Sequence, residues 1–320
     1  MNVIRSLDSI RYVKNSVVTV GTFDGVHLAH REIIREVVNR ARMREGRSVV
    51  VTFDPHPKEV VTSARGPVQL LSTLRERIQL FGELQTEDLV IIPFTYEFSR
   101  ISASTFYQEY VNRIIGVSEV VVGYDHMFGR DREAGARELM ALGRSLDFSM
   151  FAVHPLTLDG EPISSTRIRK VLSGGDVERA HGMLGYDYPL TGTVVTGDRR
   201  GRTLGFPTAN LEAEDPRKLI PGNGVYLVAV RVAGQDGFGM MNIGVRPTLT
   251  SGEQRVLEVH ILDFDREIYG ETMTVTFLQR LRDERKFGSL GELVEQLGRD
   301  RAAAHRAREI LTHSPTQSKE

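Results

Sequence analysis

The chain has no cysteine among its 320 residues. Disulfides and cysteine-ligated metals are therefore excluded, and a reducing compartment, the cytoplasm, is the expectation. Nor is there an excess of either charge: 41 Lys and Arg face 42 Asp and Glu, for a net charge of -1. A surface built for nucleic acid needs a basic surplus, so none is expected, although local basic clusters can still hold small phosphorylated ligands. No apolar run approaches the length of a membrane span, and the N-terminus carries no apolar signal segment. There is no internal repeat or low-complexity tract, and no obligate protein partner is indicated. What remains is ordinary globular material, 40% hydrophobic and 26% charged, at a length that favours two domains over one.

The first half alternates β-branched runs with amphipathic stretches. Residues 16–20, 48–53, 88–93, 119–123 and 151–153 read as strands. Ile33, Ile34, Val37, Val38 and Ala41 recur at helical spacing after the first of them. Thr73, with Glu76 three residues on, makes a capping box for a helix through Leu84, and residues 105–115 read as another helix. Strands alternating with helices predict a parallel sheet covered on both faces. The pattern changes after about Leu184. Residues 188–196, 225–232, 239–244, 256–262 and 272–277 are strands joined by Gly-, Pro- and Asp-rich turns, which predicts a small antiparallel barrel. Ser289 and Glu292 cap a terminal helix. The expected division is 1–185, 186–312 and a polar tail, 313–320.

Segment 21–30, Gly-Thr-Phe-Asp-Gly-Val-His-Leu-Ala-His, joins the first strand to its helix. In open α/β sheets, ligands bind beyond the strand C-termini, and a helix start presents N–H groups and a positive dipole end to phosphate. Gly21 and Gly25 let the backbone approach a ligand closely. His27 and His30 share a first-turn face, where two imidazoles can donate hydrogen bonds to a polyphosphate and stabilise charge that develops at phosphorus. The alternative is two exposed histidines on a polar helix start. A metal centre fits less well, since one turn supplies only two ligands, and no Walker A loop is present. Three further segments fall at the same predicted edge: 53–57, with His56; 123–130, with Asp125 and Phe128; and 164–169, Ser-Ser-Thr-Arg-Ile-Arg. The hydroxyls and guanidiniums of the last can cradle an oxyanion. Taken singly, each also reads as a cap, a turn or solvated surface.

In the second half, segment 201–210, Gly-Arg-Thr-Leu-Gly-Phe-Pro-Thr-Ala-Asn, has glycines for a tight loop able to wrap phosphates, with Pro207 to stiffen it. Thr208 and Asn210 offer neutral oxygens of the kind Mg²⁺ accepts. An ordinary barrel loop with Asn210 as a turn residue is the alternative. Leu257, Val259 and Ile261 share one face of their strand, so Glu258 and His260 point to the other. A carboxylate there can accept the proton of a substrate hydroxyl during phosphoryl transfer, or can be one more exposed strand glutamate.

Segments 21–30, 53–57, 123–129 and 163–169 resemble the FMN adenylyltransferase domain of bacterial bifunctional riboflavin kinase/FAD synthetases, one of the nucleotidyltransferases with an H-x-G-H signature. Position 29 departs from that pattern: it is Ala where Gly is usual. Segments 201–211, 221–227, 242–248, 258–270 and 277–287 look like riboflavin kinase, in that family's order. The resemblance implies an N-terminal Rossmann-like α/β domain and a C-terminal β-barrel with a terminal helix. It implies that riboflavin and ATP give FMN and ADP, and that FMN and a second ATP give FAD and pyrophosphate with no covalent intermediate. By the same resemblance, His27 and His30 act on the ATP phosphates, with Gly21, Asp24 and Gly25 around them. Ser164, Ser165, Thr166 and Arg167 hold the departing pyrophosphate, and Asp125 and Phe128 face the flavin. In the barrel it implies that Gly201, Thr208 and Asn210 bind ATP, the last two with Mg²⁺. Glu258 is the base for the riboflavin 5′-hydroxyl, and Arg246 and Arg282 lie near the flavin.

Overall fold

Six short runs make one all-parallel sheet: β1 (Asn2–Ile4), β2 (Ser16–Val20), β3 (Ser48–Asp54), β4 (Asp88–Pro93), β5 (Val117–Gly123) and β6 (Ser149–Val153). The computed structural model describes residues 1–61, 68–124, 135–197, 205–248 and 252–313. Alternate residues leave a strand on opposite faces. Val18, Val20, Val120 and Val122 accordingly join one core, while Val17, Val121 and Val153 pack against Val37 and Ala41 of α1 (Leu28–Met43). The sheet is covered on both faces, as the alternation predicted. The helices that follow α1 are α2 (Pro57–Val61), α3 (Leu74–Glu83), α4 (Tyr96–Ser99) and α5 (Ala103–Phe106). The capping box of α3 forms in full, with Thr73 Oγ1 accepting from Glu76 N at 3.2 Å and the Glu76 carboxylate from Thr73 N at 2.8 Å.

Two details differ from the sequence reading. The helix expected over 105–115 is α5 followed by a π-helix (Tyr107–Ile115), a change of hydrogen-bond ladder that apolar spacing does not reveal. The edge strand β1 is only three residues long and is fastened by Asn2 Nδ2 to Asp88 at 2.9 Å. The strand order β1-β4-β3-β2-β5-β6 reverses between β2 and β5. The crevice beyond the C-terminal ends of these two strands is therefore the ligand position of such a sheet. After α6 (Ala136–Leu146) and the short pair β7 (Thr157–Leu158) and β8 (Glu161–Pro162), α7 (Ser165–Ser173) and α8 (Val177–Leu184) lead to the barrel.

The chain forms two compact units, Met1–Thr166 and Arg167–Glu320. The second is a closed antiparallel barrel of β9 (Tyr188–Val195), β10 (Ala209–Ala213), β11 (Gly224–Val232), β12 (Gln235–Thr248), β13 (Gly252–Ile261) and β14 (Thr272–Arg282), ordered β10-β13-β12-β11-β14-β9. Five of these were predicted. The sixth, β10, has the sequence Ala-Asn-Leu-Glu-Ala, poor in strand formers, and is set by its pairing with β9 and β13. The terminal helix α9 (Leu290–His313) lays Ala304 and Ala307 on Leu227 and Met240. Most of α7 and all of α8 belong to this unit for a visible reason. Leu172 O accepts from Gly222 N at 2.8 Å, Arg280 donates to Gly174 O at 2.8 Å, and the Glu178 carboxylate accepts from Arg280 N at 3.1 Å. Among the described residues, no helix is long and apolar enough to cross a membrane.

Candidate active sites

The first site is the turn between β2 and α1. Its backbone is strained: Phe23 and Val26 sit at φ 47° and 35°, with Gly25 between them at φ 83°. Left-handed non-glycine residues persist only where their surroundings over-determine them. Asp24 does so here. It is buried, and its carboxylate accepts from Leu71 N at 3.0 Å, Ser72 N at 3.0 Å and Ser72 Oγ at 3.3 Å. Gly25 N donates to Ser72 Oγ at 2.7 Å, and Ser165 Oγ donates to Asp24 O at 2.9 Å, which brings the start of α7 to the same turn. Below, the buried Arg77 donates to Thr22 O, Thr52 Oγ1 and Phe53 O. Thus Asp24 fastens the cradle from within, and Ser72 and Arg77, which the sequence reading did not single out, share that task.

His27 is the N-cap of α1, and its Nδ1 accepts from His30 N at 3.3 Å. An Nδ1 that accepts carries no proton, so in the neutral ring the proton is on Nε2. The two imidazoles stack, with centroids 3.5 Å apart and planes 17° from parallel, and Phe23 meets His30 edge-on at 5.2 Å. His30 Nδ1 is buried and has no hydrogen-bond partner among the described residues. Burial first, and the neighbouring His27 second, hold the His30 pKa well below the ordinary histidine value. Near neutral pH the His30 ring is thus an uncharged hydrogen-bonding group at a helix start. Ala29 is the second residue of α1, where its methyl group suits the helix. His56 is buried and pins its own turn through Nδ1, which accepts from Lys58 N at 3.1 Å.

Beside the cradle lies an aromatic cluster that the sequence reading missed. Phe53, at the end of β3, meets Phe94 at 5.5 Å and Phe98 at 6.0 Å, and Phe98 meets Tyr110 at 5.6 Å. Phe53, Phe94 and Phe98 remain partly exposed. The available signal was a phenylalanine at, or just past, the end of each of two adjacent strands. Asp125 and Phe128 lie outside the described residues, as does Gly201 in the second unit. Arg167 opens that second unit.

The second site is on the barrel's outer face. Leu257, Val259 and Ile261 are buried and Glu258 is half-buried on the opposite face, as the strand pattern predicted. The register sets Glu258 directly opposite Asn210 of β10. Opposed residues in an antiparallel pair share a face, so the carboxylate and carboxamide are neighbours. Asn210 makes no side-chain hydrogen bond among the described residues. Thr208 precedes β10, and the adjacent Pro207 O lies 2.8 Å from His260 Nδ1. A cleft of about 580 Å³ opens beside them, walled by His260, Phe264 and, from α9, Arg301 and His305. Arg282 is committed elsewhere: its Nε and Nη2 fork onto Asp300 of α9 at 3.0 and 2.7 Å, which fastens that helix to the barrel. Arg246 lies on β12, paired in register with Gln254.

A parallel sheet with a strained turn and a helix start where its strand order reverses, joined to a closed barrel with a carboxylate beside a carboxamide, is the architecture of a two-domain nucleotide-dependent transferase. The family model for FAD synthetase matches residues 9–167, and that for riboflavin kinase matches residues 184–308. A bifunctional riboflavin kinase/FMN adenylyltransferase of Listeria monocytogenes is 38% identical over 288 residues, 89% of this chain and 90% of that protein. The protein of the same name from Escherichia coli K12 is 33% identical over 307 residues, 95% of this chain and 97% of its own. A crystal structure described as a macrolide-efflux protein from Streptococcus pneumoniae is 34% identical, with a TM-score of 0.85 over 95% of this chain and 98% of that one. The chain belongs to the bifunctional riboflavin kinase/FMN adenylyltransferase family.

Proposed function

We infer that the chain phosphorylates riboflavin to FMN with ATP on the barrel face, then adenylates FMN to FAD at the His27–His30 cradle. The observation that supports this is that each unit brings its own set of polar side chains together, His27 and His30 at the β2–α1 turn and Glu258 opposite Asn210 on the barrel.

In the kinase step Glu258 accepts the proton of the riboflavin 5′-hydroxyl as that oxygen attacks the γ-phosphorus of ATP. The new O–P bond forms, the bond to the bridging oxygen breaks, and ADP leaves. Thr208 and Asn210 supply neutral oxygens. Two neutral oxygens with no carboxylate between them suit a Mg²⁺ bound mainly by phosphate and water. Thr208 and Asn210 would hold it, and when bound it neutralises phosphate charge. The cleft beside Pro207 takes the adenine base. Arg282 serves by fixing α9.

In the adenylyl step an FMN phosphate oxygen attacks the α-phosphorus of ATP, the α–β bond breaks, and pyrophosphate leaves. His27 and His30 donate hydrogen bonds to the polyphosphate, and the starts of α1 and α7 add backbone N–H groups. Ser164, Ser165 and Thr166 receive the pyrophosphate. Asp24 contributes through the shape of the cradle, and the ring cluster at Phe53 takes the flavin's planar face. The proposed adenylyltransferase segment is 1–185; of its last part only the first turn of α7 serves that reaction, and the rest of α7 and α8 pack with the barrel. ATP is a substrate of both steps, which supports a cytoplasmic location.

The test is a timed incubation of purified protein with riboflavin, ATP and magnesium, with the flavins separated chromatographically. FMN followed by FAD is expected. Glu258→Gln should abolish FMN formation and leave FAD formation from supplied FMN unchanged. A folded Glu258→Gln protein that loses both activities would overturn the separation of the two sites.

A further inference from the structure

The strand face around Glu258 carries a further polar side chain, Asn242 of β12. β13 lies between β10 and β12, and Glu258 stands opposite Asn210 on one and opposite Asn242 on the other. Two carboxamides therefore flank the carboxylate on the same outer face, each about 5 Å away between Cβ atoms. Asn242 is held firmly, since Met241 and Ile243 on either side of it are fully buried. Its own side chain is half-buried and makes no hydrogen bond among the described residues. Asparagine is a poor strand former, and a β-branched residue would suit the middle of β12 better, so its place there works against sheet stability. Gly244, the next residue on this face, has no side chain and leaves room beside Asn242 for the Glu284 carboxylate. A Cβ at Gly244 would collide with the Glu284 carboxylate and sit 3.4 Å from Asn242 Nδ2.

We propose that Asn242 is a substrate-binding residue of the kinase reaction that selects a polyol acceptor. Its carboxamide, both donor and acceptor, bonds the hydroxyl next to the one being phosphorylated, the 4′-hydroxyl of riboflavin. Asn210, on the other flank of Glu258, serves the nucleotide. This rests on Glu258 being the base. With Glu258 on the terminal hydroxyl, the neighbouring hydroxyl lies one carbon along the chain, toward β12, whose axis is about 4.8 Å from that of β13. The interaction fixes which hydroxyl meets the carboxylate and disfavours acceptors that lack the vicinal pair.

The test compares riboflavin with 4′-deoxyriboflavin in wild type and in Asn242→Ala. In wild type, kcat/KM should fall roughly tenfold when the 4′-hydroxyl is removed, the size of one good neutral hydrogen bond. Asn242→Ala should lose a similar factor with riboflavin, keep its KM for ATP, and no longer distinguish the two acceptors. If the alanine variant does not fold, Asn242→Val, which suits a strand, should show the same loss of discrimination. A variant that keeps the wild-type preference, or a wild type indifferent to the 4′-hydroxyl, overturns the proposal. Glu258→Gln, assayed alongside, separates the two failures. Full kinase activity in that variant would remove the base beneath the proposal, whereas an inactive Glu258→Gln with retained discrimination in Asn242→Ala would remove Asn242 alone.

Discussion

Replacing Asp24 with alanine distinguishes a carboxylate that holds the cradle from one that holds a ligand. The side chain is only 2% exposed, and it satisfies the backbone N–H groups of Leu71 and Ser72 at 3.0 Å each. Removing it takes the carboxylate away from both buried donors, at about 1–3 kcal/mol apiece. Ser72 Oγ adds little to this sum, because the bond it donates to Asp24 is long, 3.3 Å, and its hydroxyl can rotate while it still accepts from Gly25 N at 2.7 Å. Relaxation that lets water reach residues 71 and 72 puts the expected loss toward the lower end, about 3 kcal/mol. The assay is urea unfolding of the first unit, followed by circular dichroism, with the KM for ATP in FAD formation measured in parallel. Kinase activity is the internal control, because the segment that matches riboflavin kinase, residues 184–308, lies in the second unit. Asp24→Asn keeps one acceptor oxygen and should lose only about 1 kcal/mol. Wild-type stability in Asp24→Ala, together with lost adenylyl transfer, would refute the reasoning and make Asp24 a ligand-binding group.

Two further perturbations follow from the same accounting. His30 is held below its ordinary pKa by burial and then by His27, so the unfolded chain binds the proton more readily; the stability this gives is full above about pH 6.5 and is lost as pH falls toward the folded pKa. Lowering the pH from about 7.5 to about 5.5 should therefore reduce the urea midpoint of the first unit, and His30→Gln should flatten that dependence; an unchanged slope in the variant would remove His30 as its source. Asp300→Ala should cost the second unit about 3 kcal/mol, because the Asp300 side chain is 5% exposed and its loss strands Arg282, whose 19% exposure lets water soften the penalty. A loss below about 1 kcal/mol would mean that the fork onto Asp300 does not hold α9.

What was legible in the sequence was what periodicity writes, namely which face a residue takes. The alternation of Leu257, Val259 and Ile261 placed Glu258 outward, and the spacing of His27 and His30 put both rings on one turn. What was not legible was which partner a polar residue has, because partners arrive from distant positions. The donors to Asp24 lie 47 and 48 residues along the chain, and the acceptor for Arg282 lies 18 residues along. No local pattern distinguishes those two residues from ligand holders. β10 was missed for the same reason, since its neighbours rather than its own residues make it a strand. His27 as a helix cap escaped notice because imidazole is not among the usual capping groups. The Phe53 cluster joins rings from β3, the turn after β4, and the short helices beyond it. Once partners are known, the polar residues of both sites divide in two. Arg77, through Nη1, and Arg282, through Nε and Nη2, donate to the protein and give the sites their shape. His30 Nδ1 and the carboxamides of Asn210 and Asn242 keep capacity unspent among the described residues. Groups left unmet at a rigid surface carry a standing cost that a bound phosphate or hydroxyl removes, and on that ground these three are the places to look for substrate.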